Sequence, residues 1–268
     1  MNLTKIISFL LIGLTLFNCK NNTVKNTKTE KNEWISLFNG INLEGWVPKF
    51  YKEETGVNYL NTFQVSNGAI QVNYDEYSTF DERYGHLFYK TSFSSYHLKF
   101  KYQFTDQWME DAPHFTYRNS GIMFHTQDPK TILKDQNWPI SVEYQILAEA
   151  KENEPRPTGN MCSPGTDVVI NNKISDAHCV RSSSPTYKWD EWIEGELIVY
   201  KDSLVQHFVN GTKVLEYSKP QIGGNILIRD FDPSIKIDGK LLNKGYIGLQ
   251  AEGQGINFKD ILIKVFDY

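Results

Sequence analysis

The chain has 268 residues and a net charge of −4, from 28 Lys and Arg against 32 Asp and Glu, with 15 Tyr and 16 Phe. That balance gives no electrostatic reason to bind nucleic acid, which calls for a basic face against the phosphates. An aromatic content of 14% suits strand packing and stacking on sugar rings alike, so composition leaves both uses open.

Residues 1–18 read as an export signal, with Lys5 followed by an apolar run from Ile6 to Phe17. The run is too short to span a bilayer as a helix. Cys19 directly after it resembles the lipidated cysteine of a bacterial lipobox, although Asn18 stands where such motifs carry Gly, Ala or Ser. The alternative is an ordinary signal with an incidental cysteine. Residues 19–32 hold almost nothing to bury and read as a disordered tether. The expectation is a cell-envelope protein held to the membrane by its lipid alone. The lack of an acidic cluster after Cys19 points to the periplasmic side.

Residues 33–268 read as one large β domain. The apolar pattern repeats at two residues, and Asn39-Gly40, Asn67-Gly68, Asn210-Gly211 and Asp238-Gly239 are hairpin signals, because these pairs tolerate positive φ. From Tyr96 to Phe104 the alternation turns Leu98, Phe100, Tyr102 and Phe104 to a core, and His97, Lys99, Lys101 and Gln103 away. Many strands joined by hairpins predict an all-β, two-sheet antiparallel sandwich of jelly-roll type. From Lys151 to Tyr187 a Pro-, Ser- and Gly-rich excursion breaks this rhythm, with one short strand expected at Val168-Val169-Ile170. Cys162 and Cys179, an even pair in an exported domain, predict a disulfide that staples the excursion. A metal site with His178 is the alternative, but the pair lacks the C-x2-C spacing of structural zinc.

Three strands carry the candidate site. Ile122 and Phe124 point to the core, which sets Asn119, Gly121, Met123 and His125 on the opposite face. By the same alternation Glu143 and Gln145 oppose Val142, Tyr144 and Ile146, while Gln250 and Glu252 oppose Ile247, Leu249 and Ala251. One concave outer face then gathers His125, Glu143, Gln145, Gln250 and Glu252, and Gly121 and Gly248 leave room for a ligand near the backbone. Polar residues there are also what any solvent face shows. Yet these faces carry His, Glu and Gln beside Gly and Met, bordered by Trp108, Phe115, Tyr117 and Trp138. His114, His178 and His207 read as structural or exposed. Arg118 reads either as a hydroxyl-binding residue or as half of a surface ion pair.

Ser36-Leu37-Phe38-Asn39-Gly40 through Gly45-Trp46, Asn119-Ser120-Gly121-Ile122 with Glu143-Tyr144-Gln145-Ile146-Leu147, and Gly245-Tyr246-Ile247-Gly248-Leu249-Gln250 through Phe258-Lys259-Asp260-Ile261 resemble, in order, the motifs of the 3-keto-disaccharide hydrolase domain. The resemblance implies a concanavalin A-like sandwich and a sugar substrate already oxidised at C3 by a separate sugar 3-dehydrogenase. A C3 ketone acidifies the C2 hydrogen. Loss of that proton, β-elimination of the C1 substituent and hydration then amount to hydrolysis. On this reading His125 is a general base or acid. Glu143 and Glu252 are partner base, orienter or metal ligand, and Asn119, Gln145, Gln250 and Arg118 bind substrate. No definite cofactor is implied; a divalent ion on His125 and Glu143 is an alternative to Arg118 for polarising the ketone. The motifs support Glu143, Gln145 and Gln250 more firmly than His125. Two other functions stay open: a non-catalytic carbohydrate-binding lipoprotein, and an ordinary glycosidase with two carboxylates flanking the bond.

Overall fold

The structure, a computed structural model, describes residues 33–175, 177–224 and 229–266. Residues 1–32, which carry the expected export signal, Cys19 and tether, lie outside these residues. Among the described residues there is no α-helix, and none is long and apolar enough to cross a membrane. Two antiparallel sheets face each other. In spatial order the first holds β11 (Lys173–Ile174), β10 (Thr166–Ile170), β15 (Thr212–Ile222), β14 (Leu204–Val209), β13 (Ile193–Tyr200), β6 (Ser95–Trp108), β17 (Gln254–Val265), β4 (Ala69–Val72) and β3 (Phe63–Ser66), with β1 (Ile35–Ser36) also on β17. The second holds β12 (Cys179–Val180), β9 (Asn160–Cys162), β8 (Val142–Leu147), β7 (Asn119–Thr126), β16 (Tyr246–Ala251), β5 (Gly85–Tyr89) and β2 (Trp46–Phe50). This is the expected concanavalin A-like sandwich.

The core lies between the sheets, where alternation delivers apolar side chains from both. Leu98, Phe100, Tyr102 and Phe104 of β6 are buried, and Phe100 meets Tyr144 of β8 edge to face at 5.2 Å. Asn67-Gly68 and Asn210-Gly211 make the expected hairpin turns, with φ of 52° and 72° in the first and 47° and 76° in the second. They join β3 to β4 and β14 to β15. The other two pairs do not make hairpins. The Asn39 side chain instead accepts from the backbone N–H groups of Ile41 and Asn42, and Asp238-Gly239 sits in the loop between β15 and β16. Neither is flanked by two strands in register, and only the glycine of each pair takes a positive φ, so the chain turns without forming a hairpin.

The excursion is more ordered than its composition suggests. Its strands β9 and β12 extend the second sheet and β10 and β11 extend the first, so it closes one end of the sandwich. Cys162 and Cys179 face each other across β9 and β12 with Cα atoms 4.1 Å apart and form the disulfide. Buried His207 also holds the excursion: Nδ1 lies 2.9 Å from the Gly159 carbonyl and Nε2 lies 2.8 Å from the Tyr217 hydroxyl. Burial pushes the His207 pKa down to about 4, so the ring is neutral and both of its nitrogens are used in structure. Replacing both cysteines with serine is expected to lower unfolding free energy by about 3 kcal/mol, the chain-entropy value for a loop of this length, as read by urea titration. Unchanged stability would show that the neighbouring hydrogen bonds alone hold the excursion.

Candidate active site

The second sheet turns its outer face to a cavity of about 400 Å3. Glu143 and Gln145 reach it from β8, Asn119 from β7, Gln250 from β16 and Glu252 from the turn after β16. Phe115, Trp138 and the Cys162–Cys179 disulfide form its walls. These faces are therefore not ordinary solvent faces. Loops cover them, and Glu143 and Glu252 are only 6% and 3% exposed.

Each carboxyl is placed by a glycine. A Cβ on Gly121 of β7 would fall 2.5 Å from Glu143 Oε1 and 2.7 Å from its Cγ, so the missing side chain is the space in which Glu143 lies. Glu252 is set by the turn that follows it. Gly253 has φ of 101°, its N–H donates to the Tyr74 hydroxyl at 2.7 Å, and its carbonyl accepts from the Met109 N–H at 2.9 Å. Burial pushes the Glu143 carboxyl up to about 8. Glu252 is raised well above the usual carboxylate range, by burial first and by the charge of Glu143 second, with Arg156 opposing. Two buried carboxyls in one cavity do not readily both ionise, so near neutral pH the pair retains a proton.

The amides supply oriented dipoles. Asn119 donates through Nδ2 to the Phe115 carbonyl at 3.0 Å, which leaves its Oδ1 buried and unpartnered. Gln250 Oε1 and Glu252 Oε1 are likewise buried without a partner. Such atoms are costly unless a ligand completes them, and acceptors of this kind match hydroxyl donors. Gln145 Oε1 accepts from Asn160 Nδ2 at 3.0 Å, which fixes its amide. The cation on this wall is Arg156, whose Nη1 donates to the carbonyls of Arg118 at 3.1 Å and Ala148 at 2.9 Å. Sequence reasoning did not single out Arg156 or Asn160. The signal for Arg156 was its position between Pro155 and Pro157, a backbone restricted on both sides that holds an arginine in place.

Two expected placements need correction. His125 does not share the face of Glu143. Between β7 and β16 the pairing steps from Gly248–Met123 to Tyr246–Thr126, so β7 carries one extra residue, and His125 has φ of 49°. This bulge reverses the alternation and sends His125 inside, where Nε2 lies 3.0 Å from the Lys201 carbonyl. Gly245 allows it, since a Cβ there would fall 2.3 Å from the His125 carbonyl carbon. Arg118 also lies off the cavity. Its guanidinium sits over the rings of Tyr117 and Trp189 and donates to the Glu149 carbonyl, so what it offers the site is its own carbonyl, which holds Arg156. His125 and Glu143 therefore do not form a ligand pair. Among the described residues no group of three or more His, Cys, Asp or Glu side chains is placed to hold a metal ion. His125→Ala is expected to lower stability by about 2 kcal/mol, as for loss of a buried hydrogen-bonded side chain, while the folded fraction keeps its turnover number. A selective loss of kcat would return His125 to the reaction.

The family model described as the 3-keto-alpha-glucoside-1,2-lyase-like domain matches residues 33–264. The chain belongs to this family. The 3-keto-glucoside lyase-like domain thus spans both sheets, the excursion and the cavity, and it gives the chain a carbohydrate-related role. Among solved structures, one "putative glycosyl hydrolase" from Parabacteroides distasonis is 19% identical, with a TM-score of 0.53 over 88% of this chain and 100% of that one. A second from the same organism is also 19% identical, with a TM-score of 0.50 over 87% of this chain and 94% of that one. At this identity the two establish a shared fold. No curated protein matches the chain.

Proposed function

We propose that the chain cleaves glycosides already oxidised at C3 of a glucose-type ring, by elimination followed by hydration. The observation that carries this reading is the buried pair Glu143 and Glu252, both held toward the neutral form, with Arg156 acting on Glu252 from the same wall. Glu252 feels both burial and the charge of Glu143, so it keeps the proton and serves as the acid. Glu143 is the base. It takes the proton from C2 as the electron pair forms the C1–C2 double bond and the C1–O bond breaks, and the departing oxygen takes the proton of Glu252. Charge that collects on the C3 oxygen during this step is met by Arg156. Water then adds across the double bond, with OH to C1 and H to C2, so the sum of the steps is hydrolysis. Asn119 and Gln250 accept from the ring hydroxyls.

Because the ketone is made elsewhere, a sugar 3-dehydrogenase is the partner activity. Export and a lipid on Cys19 would place both steps in the cell envelope. The test is release of a chromophoric phenol from its 3-keto-glucoside, beside the unoxidised glucoside. Release from the keto compound alone is expected. Release from the plain glucoside would instead indicate an ordinary two-carboxylate glycosidase, and tight binding without release from either would indicate a sugar-binding protein.

A further inference from the structure

A second cavity, of about 450 Å3, adjoins the first and shares two walls with it, Phe115 and Arg156. The mechanism above does not use it. Its remaining lining comes from His114, Tyr117, Ala150, Lys151, Glu154 and Pro155, with Lys151 and Glu154 as the charged groups besides Arg156. The aromatic side is braced before any ligand arrives. Trp108 contacts Tyr117 at 5.1 Å and His114 at 6.2 Å, both edge to face, and its Nε1 donates to Thr116 Oγ1 at 3.1 Å. The shared walls are braced as well. Phe115 is held through its carbonyl by Asn119, and the Arg156 backbone N–H donates to Thr186 Oγ1 at 2.7 Å.

A preformed hollow lined by both aromatic rings and charged groups suits a six-membered ring with an apolar face and polar substituents. Its position sets the role. The ring that reacts must lie against Glu143 and Glu252, and Phe115 and Arg156 border both cavities, so a group attached at C1 has the second cavity beside it. We propose that this cavity is a leaving-group subsite for a ring, either a pyranose or a phenolic ring. The proposal rests on the elimination reading for its direction, but the binding of a two-ring ligand does not depend on turnover.

The experiment uses the full chain and 3-keto-glucosides with methyl, phenyl and glucosyl leaving groups. Turnover is measured for the wild type and for Ala150→Trp, which fills the cavity, and Lys151→Ala, an exposed position that leaves the fold intact. Affinities of the same glycosides are measured by calorimetry with Glu143→Gln in each background. Filling the cavity is expected to lower the ring-over-methyl ratio about tenfold in kcat/KM and in affinity. Lys151→Ala is expected to lower the glucosyl-over-methyl ratio about threefold, as for one lost polar contact. A larger fall for glucosyl than for phenyl assigns a pyranose; the reverse assigns a phenolic ring. Ratios unchanged in both variants, in turnover and binding alike, would overturn the proposal. Turnover absent throughout, with the binding ratio still falling, would remove the elimination reading and leave the subsite standing.

Discussion

Replacing Glu143 with glutamine is expected to abolish turnover and, at alkaline pH, to stabilise the fold. The loss of activity follows from the role proposed above: a general base contributes about 100- to 10,000-fold, and an amide cannot accept a C2 proton. The gain in stability follows from burial. A carboxyl whose pKa moves from 4.5 to about 8 on folding binds more protons folded than unfolded between those values. Its favourable contribution is therefore complete below about 4.5 and is lost as pH rises through about 8. The ceiling on that loss is about 5 kcal/mol, and water entry lowers it. Glutamine never ionises, so the variant should melt higher than wild type at pH 9 and show no such gain at pH 5. Wild-type kcat/KM should rise with pH until Glu143 is ionised, near 8. A melting difference independent of pH would show that Glu143 does not carry a buried charge, and a flat pH–rate profile would remove it as the base.

Gly121→Ala is expected to cost about 100-fold in kcat with little loss of stability. The new methyl cannot coexist with the present Glu143 side chain, since its nearest atoms would lie 2.5, 2.7 and 2.9 Å away. The obstacle is the Glu143 side chain from Cγ outward and not backbone, so the side chain must turn while the strand stays. Displacing a catalytic group by about 1 Å is enough for a loss of that size. The decisive control is Glu143→Asp in the Gly121→Ala background, where the shorter side chain removes the nearest contact, to Oε1 at 2.5 Å, and leaves the one to Cγ. Partial recovery of kcat, from a substitution that harms the wild type, would establish the steric coupling. If alanine at 121 leaves kcat untouched, Glu143 does not need its present position and the acid–base assignment loses its geometric basis.

Much of this was legible in the chain itself, because a β-strand writes its two faces into alternate residues. The core face of β6, the outward polar residues of β8 and β16, and the hairpins at Asn67-Gly68 and Asn210-Gly211 are local consequences of backbone geometry. The disulfide followed from an even pair of cysteines in a domain read as exported. Alternation failed where the ladder did. At His125 one extra residue reverses the faces, and a bulge is decided by the partner strand and by the room Gly245 leaves. Arg156 and Asn160 were equally hidden, since they sit in a segment of loop-like composition that is ordered by the disulfide, by His207 and by strand pairing at both sheet edges.

Sequence alone thus determined the sandwich, the strands that bear the site, and Glu143, Gln145, Gln250 and Glu252 as its polar face. Tertiary structure alone decided that loops bury this face, that His125 and Arg118 stand apart from it, and that Arg156 joins the two carboxyls. The physical reason is range. Side-chain direction along a strand is set by its own backbone, whereas burial, and the raised pKa values that come with it, depend on segments distant in the chain that fold over the sheet.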